Sequence, residues 1–96
     1  MAARTPFGKA LVGLMDAKGW SIREFSRQNR LNQTYMGRLL VGKHRPPLER
    51  LDGWLDLLDA SPAQRDQVYL LALEECQAQG MAARWRSLLE LSIGKP

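Results

Sequence analysis

Residues 32–45 concentrate side chains suited to reading a polyanion: Asn32, Gln33, Thr34, Arg38, Lys43, His44 and Arg45. Gln33 can donate to N7 and accept from N6 of adenine in one bidentate contact. Arg38 can reach guanine or a phosphate, and Thr34 can hydrogen-bond a base or lay its methyl on thymine. Gly37 would let backbone approach closely or simply avoid a clash. If this stretch is helical, Asn32, Gln33, Thr34, Gly37 and Arg38 form one solvent-facing arc weighted toward the helix start. Lys43-His44-Arg45 then follows on a loop where a phosphate backbone would pass. Arg23 and Arg27 are further phosphate candidates, just upstream. Ser21 and Asn32 open two helices, whose free N–H groups and partial positive charge also suit phosphates.

These residues need a scaffold, and the punctuation of the chain describes one. Gly19, Gly42, Pro46-Pro47, Ser61-Pro62 and Gly80 are spaced as helix ends and starts. No segment alternates with a period of two, so no strand is expected. A first helix is predicted from Thr5 or Pro6 to Lys18, capped by Thr5, with Phe7, Leu11, Leu14 and Met15 inward. Gly19 suits the left-handed residue that follows it. A second helix starts at Ser21, with Glu24 three residues on as the other half of a capping box, and Ile22, Phe25 and Ser26 inward. A third runs from the cap Asn32 to about Val41, with Leu31, Met36, Leu39 and Leu40 inward. The fourth follows Pro47 and carries Leu48, Leu51, Leu55 and Leu58 as a stripe beside Trp54. The fifth opens with a second capping box, Ser61 to Gln64, and turns Val68, Leu71, Ala72 and Cys76 inward. Gly80 is expected to end it. A sixth helix, Met81 to about Leu91, would place Met81, Trp85, Leu88 and Leu89 on one face. The expected organisation is a helical domain over 1–79, with 80–96 as an amphipathic helix of the same compact domain.

Charge supports this division. The chain has 96 residues; residues 1–50 hold ten Lys/Arg against three Asp/Glu, and residues 51–96 hold four against seven. The basic half points to a polyanion, while the acidic half is better suited to solvent or protein. Composition is ordinary for a globular domain, with 45% hydrophobic and 25% charged residues. One cysteine cannot form an intramolecular disulfide. No apolar run nears the ~20 residues of a membrane span, and Met1–Pro6 lacks the apolar stretch of a secretory signal. A cytoplasmic location is expected, without membrane attachment. His44, the sole histidine, has no ligand partners nearby, so neither a metal nor a cofactor is expected. Glu74-Glu75, Asp52, Asp56 and Asp59 read as a solvated acidic face rather than a catalytic set. Gly42-Lys43 lacks the rest of a phosphate loop. No enzymatic activity is expected.

Residues 7–58 resemble the lambda-repressor-like, Cro-type helix-turn-helix of the XRE family of bacterial and phage regulators. The resemblance is carried by Gly19-Trp20-Ser21, Glu24-Phe25-Ser26, Leu31 through Leu40, and Gly42-Lys43-His44-Arg45-Pro46. It implies an all-α, five-helix bundle, here with the extra C-terminal helix, whose third helix reads a pseudo-palindromic operator in double-stranded DNA, usually as a symmetric homodimer. The family's base-contacting positions fall on Gln33, Thr34 and Gly37; its phosphate-contacting positions fall near Ile22, Arg38 and the loop after Gly42. The chain departs from the pattern in three places. Ile22 stands where Gln is common, Gly37 where Ser is often found, and Arg30 where the turn usually holds Gly. A left-handed Arg costs about 1 kcal/mol or more, which leaves the turn open between Arg30 and the more tolerant Asn29.

The expected function is sequence-specific transcriptional regulation, as a bacterial or phage repressor acting by operator occupancy. The alternative is a protein-interaction module built on the same scaffold, such as a phage protein binding a host partner or an antitoxin binding its toxin. Trp85, Leu88 and Leu89 are the candidate dimer contact, or else a lid on the chain's own helices.

Overall fold

The computed structural model describes the backbone of residues 3–93 and the side chains of residues 3–80. It is all-helical: α1 (Pro6–Lys18), α2 (Ile22–Gln28), α3 (Gln33–Leu40), a 3-10 turn (Leu48–Arg50), α4 (Leu51–Leu57) and α5 (Pro62–Ile93), with no strand among the described residues. No described helix is long and apolar enough to cross a membrane.

Local chemistry sets the starts of these helices. The side chains of Thr5, Ser21 and Asn32 accept from the backbone N–H of Gly8, Glu24 and Thr34. The Ser61 box is complete, since Gln64 Oε1 accepts from Ser61 N (2.8 Å) while Ser61 Oγ accepts from Gln64 N (3.2 Å). The box expected at Ser21 is only half made. Glu24 accepts instead from Nε and Nη2 of Arg27 (2.9 and 2.7 Å) and from Gln28 (3.0 Å). A bidentate guanidinium outcompetes one backbone N–H for a carboxylate.

Four helix ends share one termination. Gly19, Arg30, Gly42 and Asp59 have positive φ (82, 55, 89 and 54°). At each, the left-handed residue and its successor donate back to carbonyls of the last helical turn, as in Arg30 N to Arg27 O (3.2 Å) and Leu31 N to Ser26 O (2.8 Å). Arg30 thus takes the left-handed position itself. Asn29 stays at φ −100° and uses its side chain to donate to Phe25 O (2.9 Å). Replacing Arg30 by Gly removes the Cβ penalty, so Arg30→Gly is expected to raise stability by about 1 kcal/mol. A higher urea midpoint at unchanged slope would register this; a lower one would show that the Arg30 side chain contributes more than its backbone loses.

The core lies where α1, α2, α3, α4 and the first half of α5 meet. Phe7, Leu11, Met15, Phe25, Met36, Leu39, Leu40, Leu51, Leu55 and Ala72 are fully buried, and Leu14, Trp54, Leu58 and Val68 nearly so. Phe25 meets Trp54 edge-on, at 5.3 Å and 84°. Leu48, Leu71 and Cys76, expected inward, are half-buried. Outside the core, the carboxylates of α4 and of the turn after it are engaged rather than merely solvated. Asp52 accepts from the Tyr69 hydroxyl (2.6 Å), Asp56 pairs with Arg65, and Asp59 pairs with Lys18. These bonds tie α4 to α5 and to the end of α1.

One helix end is not where local signals place it. Helix α5 continues through Gly80, and no sixth helix begins at Met81. The expected extra C-terminal helix is therefore the continuation of α5. Glycine in a helix interior costs only about 1 kcal/mol against Ala. Its neighbours Gln77-Ala78-Gln79 and Met81-Ala82-Ala83-Arg84 all favour helix, and Gly80 does not turn left-handed. The side chains of Trp85, Leu88 and Leu89 lie outside the described residues.

Candidate nucleic-acid interface

Helix α3 is positioned from behind. Met36, Leu39 and Leu40 are buried against α1 and α2, which leaves Gln33, Thr34 and Arg38 exposed on the opposite side. Its hydrophobic and polar residues segregate because 3.6-residue periodicity allows only one stripe inward. Gly37 departs from the expected exposed arc. It is buried, as part of the lining of a depression of about 400 Å³ that also involves Arg4, Thr34, Arg38, Val41 and Lys43.

The loop after α3 is held by α5. Gln79 Nε2 donates to Gly42 O (3.1 Å) and His44 O (3.4 Å), and the Cys76 thiol lies 3.9 Å from Pro46 O. The His44 ring stacks on Tyr35, at 5.3 Å and 26°, and is half-buried. The stacking fixes the orientation of this candidate phosphate contact within the loop. Lys43 and Arg45 remain exposed on either side of it.

The other nominated residues divide. Arg23 is exposed on α2 and joins no ion pair among the described residues. Arg27 is exposed but committed to Glu24, whose carboxyl the Arg27 and Gln28 side chains hold down at about 2. An anion reaching Arg27 would have to compete with that carboxylate. Ser21 and Asn32 are exposed, with their side-chain oxygens serving as caps.

Two features escaped the sequence reading. Arg4 joins Arg38 and Lys43 at the depression. Its type was visible, but its position depends on backbone bonds to a residue far along the chain. Glu75, expected on a solvated face, is buried, and its Oε1 has no hydrogen-bond partner among the described residues. Its other oxygen accepts from Gln79 (3.3 Å). Helical spacing offered one signal: Glu75 follows Val68 by seven and Ala72 by three, on the buried stripe of α5.

Burial pushes the Glu75 carboxyl up, and the Thr5 hydroxyl draws it partly down. A raised native value means the folded chain keeps a proton that the unfolded chain releases. Stability due to this group therefore falls as pH rises from the usual carboxylate range through the raised value. Glu75→Gln is expected to stabilise the protein at neutral pH by about 1 kcal/mol and to lose that advantage near pH 4. Urea midpoints of both proteins across pH would show it; a constant difference would remove ionisation as the cause.

Compared with protein-family models, curated proteins and solved structures, the chain matches none.

Proposed function

We propose that this protein is a sequence-specific regulator that binds double-stranded DNA through a lambda-repressor-like helix-turn-helix formed by α2 and α3. The observation that carries the reading is the composition of α3. Its buried side is apolar, while its free side presents Gln33, Thr34 and Arg38, with Lys43 and Arg45 on the adjoining loop. In this arrangement α3 enters the major groove with its N-terminal residues toward base edges, and α2 crosses the backbone with Arg23 toward phosphate. Action by operator occupancy then requires no further chemistry. A homodimer reading two half-sites about 34 Å apart would add the affinity that one short helix lacks.

A protein partner is a second reading, favoured by Leu70 and Leu73, which are exposed on successive turns of α5. It is compatible with DNA binding and would make this helix the recruiting surface.

The test begins with duplexes selected from genomic DNA by the wild-type protein. Affinity should fall steeply with salt, at about −0.9 in the log–log slope for each phosphate neutralised. Gln33→Ala should cost about 1–3 kcal/mol on the preferred duplex and little on random DNA. A flat salt response, or no enriched sequence, would overturn the proposal. Equal losses on both duplexes would leave Gln33 a positioning residue.

A further inference from the structure

We infer that Arg4 is a phosphate contact of the DNA-bound state, completing with Arg38 and Lys43 a cradle of three cations; the inference rests on the DNA reading above. The three side chains come from separate segments: the residues before α1, the last turn of α3 and the loop that follows it. All three line one depression, with Thr34, Gly37 and Val41 as its other described walls. The convergence is built into the backbone. Leu40 O accepts from Arg4 N (2.9 Å) and Thr5 N (3.5 Å), so residues 4 and 5 are strapped across the end of α3. Gly8 fits this junction because a Cβ there would lie 2.7 Å from the same carbonyl.

Three like charges around one hollow repel one another, and among the described residues no acidic one lines it. Among the described residues none of the three forms an ion pair. An anion relieves that repulsion. A backbone phosphate is the anion that DNA supplies here. The start of a reading helix points to base edges; the depression runs from Thr34 along α3, and its cations Arg38 and Lys43 sit in the last turn and the loop beyond it. Two guanidiniums and an ammonium can share the oxygens of one phosphate.

The experiment is a salt series on the preferred and a random duplex with wild type, Arg4→Ala, Arg4→Gln and Arg4→Lys. Arg4→Ala and Arg4→Gln should flatten the slope by about 0.9 per protomer, weakening binding about 5–10-fold for each protomer at 0.1 M salt on both duplexes. Arg4→Lys should keep the slope. Thermal stability should not change, because Arg4 is exposed and anchored through its backbone N–H. An unchanged slope in both neutral variants would overturn the inference alone. So would a loss confined to the preferred duplex, which would make Arg4 a base reader. Absence of DNA binding by wild type would overturn both this inference and the reading beneath it.

Discussion

Phe25→Ala is expected to lower stability by about 3–5 kcal/mol. The ring is fully buried and packs edge-on against Trp54. Removing it costs the transfer energy of a large apolar side chain and leaves a cavity that two helices would have to close. Phe25 and Ser26 are the buried residues of α2, and Ser26 Oγ donates to Ile22 O (2.8 Å) within its own helix. Phe25 therefore supplies most of the apolar anchorage of α2. Domains of this size are stable by about 5–15 kcal/mol, so the variant stands near the edge of folding. Urea denaturation followed by circular dichroism checks this through the midpoint, with the slope unchanged if both states keep their compactness. A loss below about 1 kcal/mol would mean that α2 is docked by something other than its ring.

The second large effect concerns a residue that carries no side chain. Gly8→Ala is expected to destabilise by about 2–3 kcal/mol, the upper part of the range for overpacking. The added Cβ would fall 2.7 Å from Leu40 O and 3.2 Å from Leu40 Cα. Both are backbone atoms, which cannot rotate away as a flexible side chain could. Either α1 or α3 has to move, and α3 carries Gln33, Thr34 and Arg38. Loss of stability should therefore be accompanied by weaker DNA binding. Gly13 on the same helix supplies the control. Nothing lies within 4 Å of a Cβ built there, so Gly13→Ala should gain about 1 kcal/mol of helix propensity. Opposite signs from two Gly→Ala changes five residues apart would locate the effect in the α1–α3 contact. Equal signs would assign it to propensity alone.

The features legible in the sequence were those settled within four residues. Thr5, Ser21 and Asn32 cap as expected because the donor each satisfies lies two or three positions away. The Ser61–Gln64 box is of the same kind. Phe7, Leu11, Leu14 and Met15 are buried together because a single periodicity aligns them. A local pattern does not decide between two local partners. Glu24 could serve the Ser21 N–H or the Arg27 guanidinium, and the charged, bidentate partner holds it. Nor does one weak helix former decide a helix end: the strong formers on either side carry α5 through Gly80.

Within the candidate interface the division follows the same line. The type and order of Gln33, Thr34 and Arg38, and their placement on the free side of a helix, follow from the sequence, because the apolar positions of α3 leave only one side for them. What each cation can do depends on partners that no local pattern names. The His44 ring lies against Tyr35, and Arg4 reaches the depression because Leu40 O, 36 positions away, holds its backbone. Glu75 is buried for the same reason, since Thr5 and Pro6 border the adjoining depression on α5. The sequence by itself determined the helices and which side of each is apolar, because hydrogen bonds and periodicity act over one or two turns. Only the tertiary structure decided which charges stay open to a ligand, because burial and ion pairing depend on segments that meet only when the chain folds.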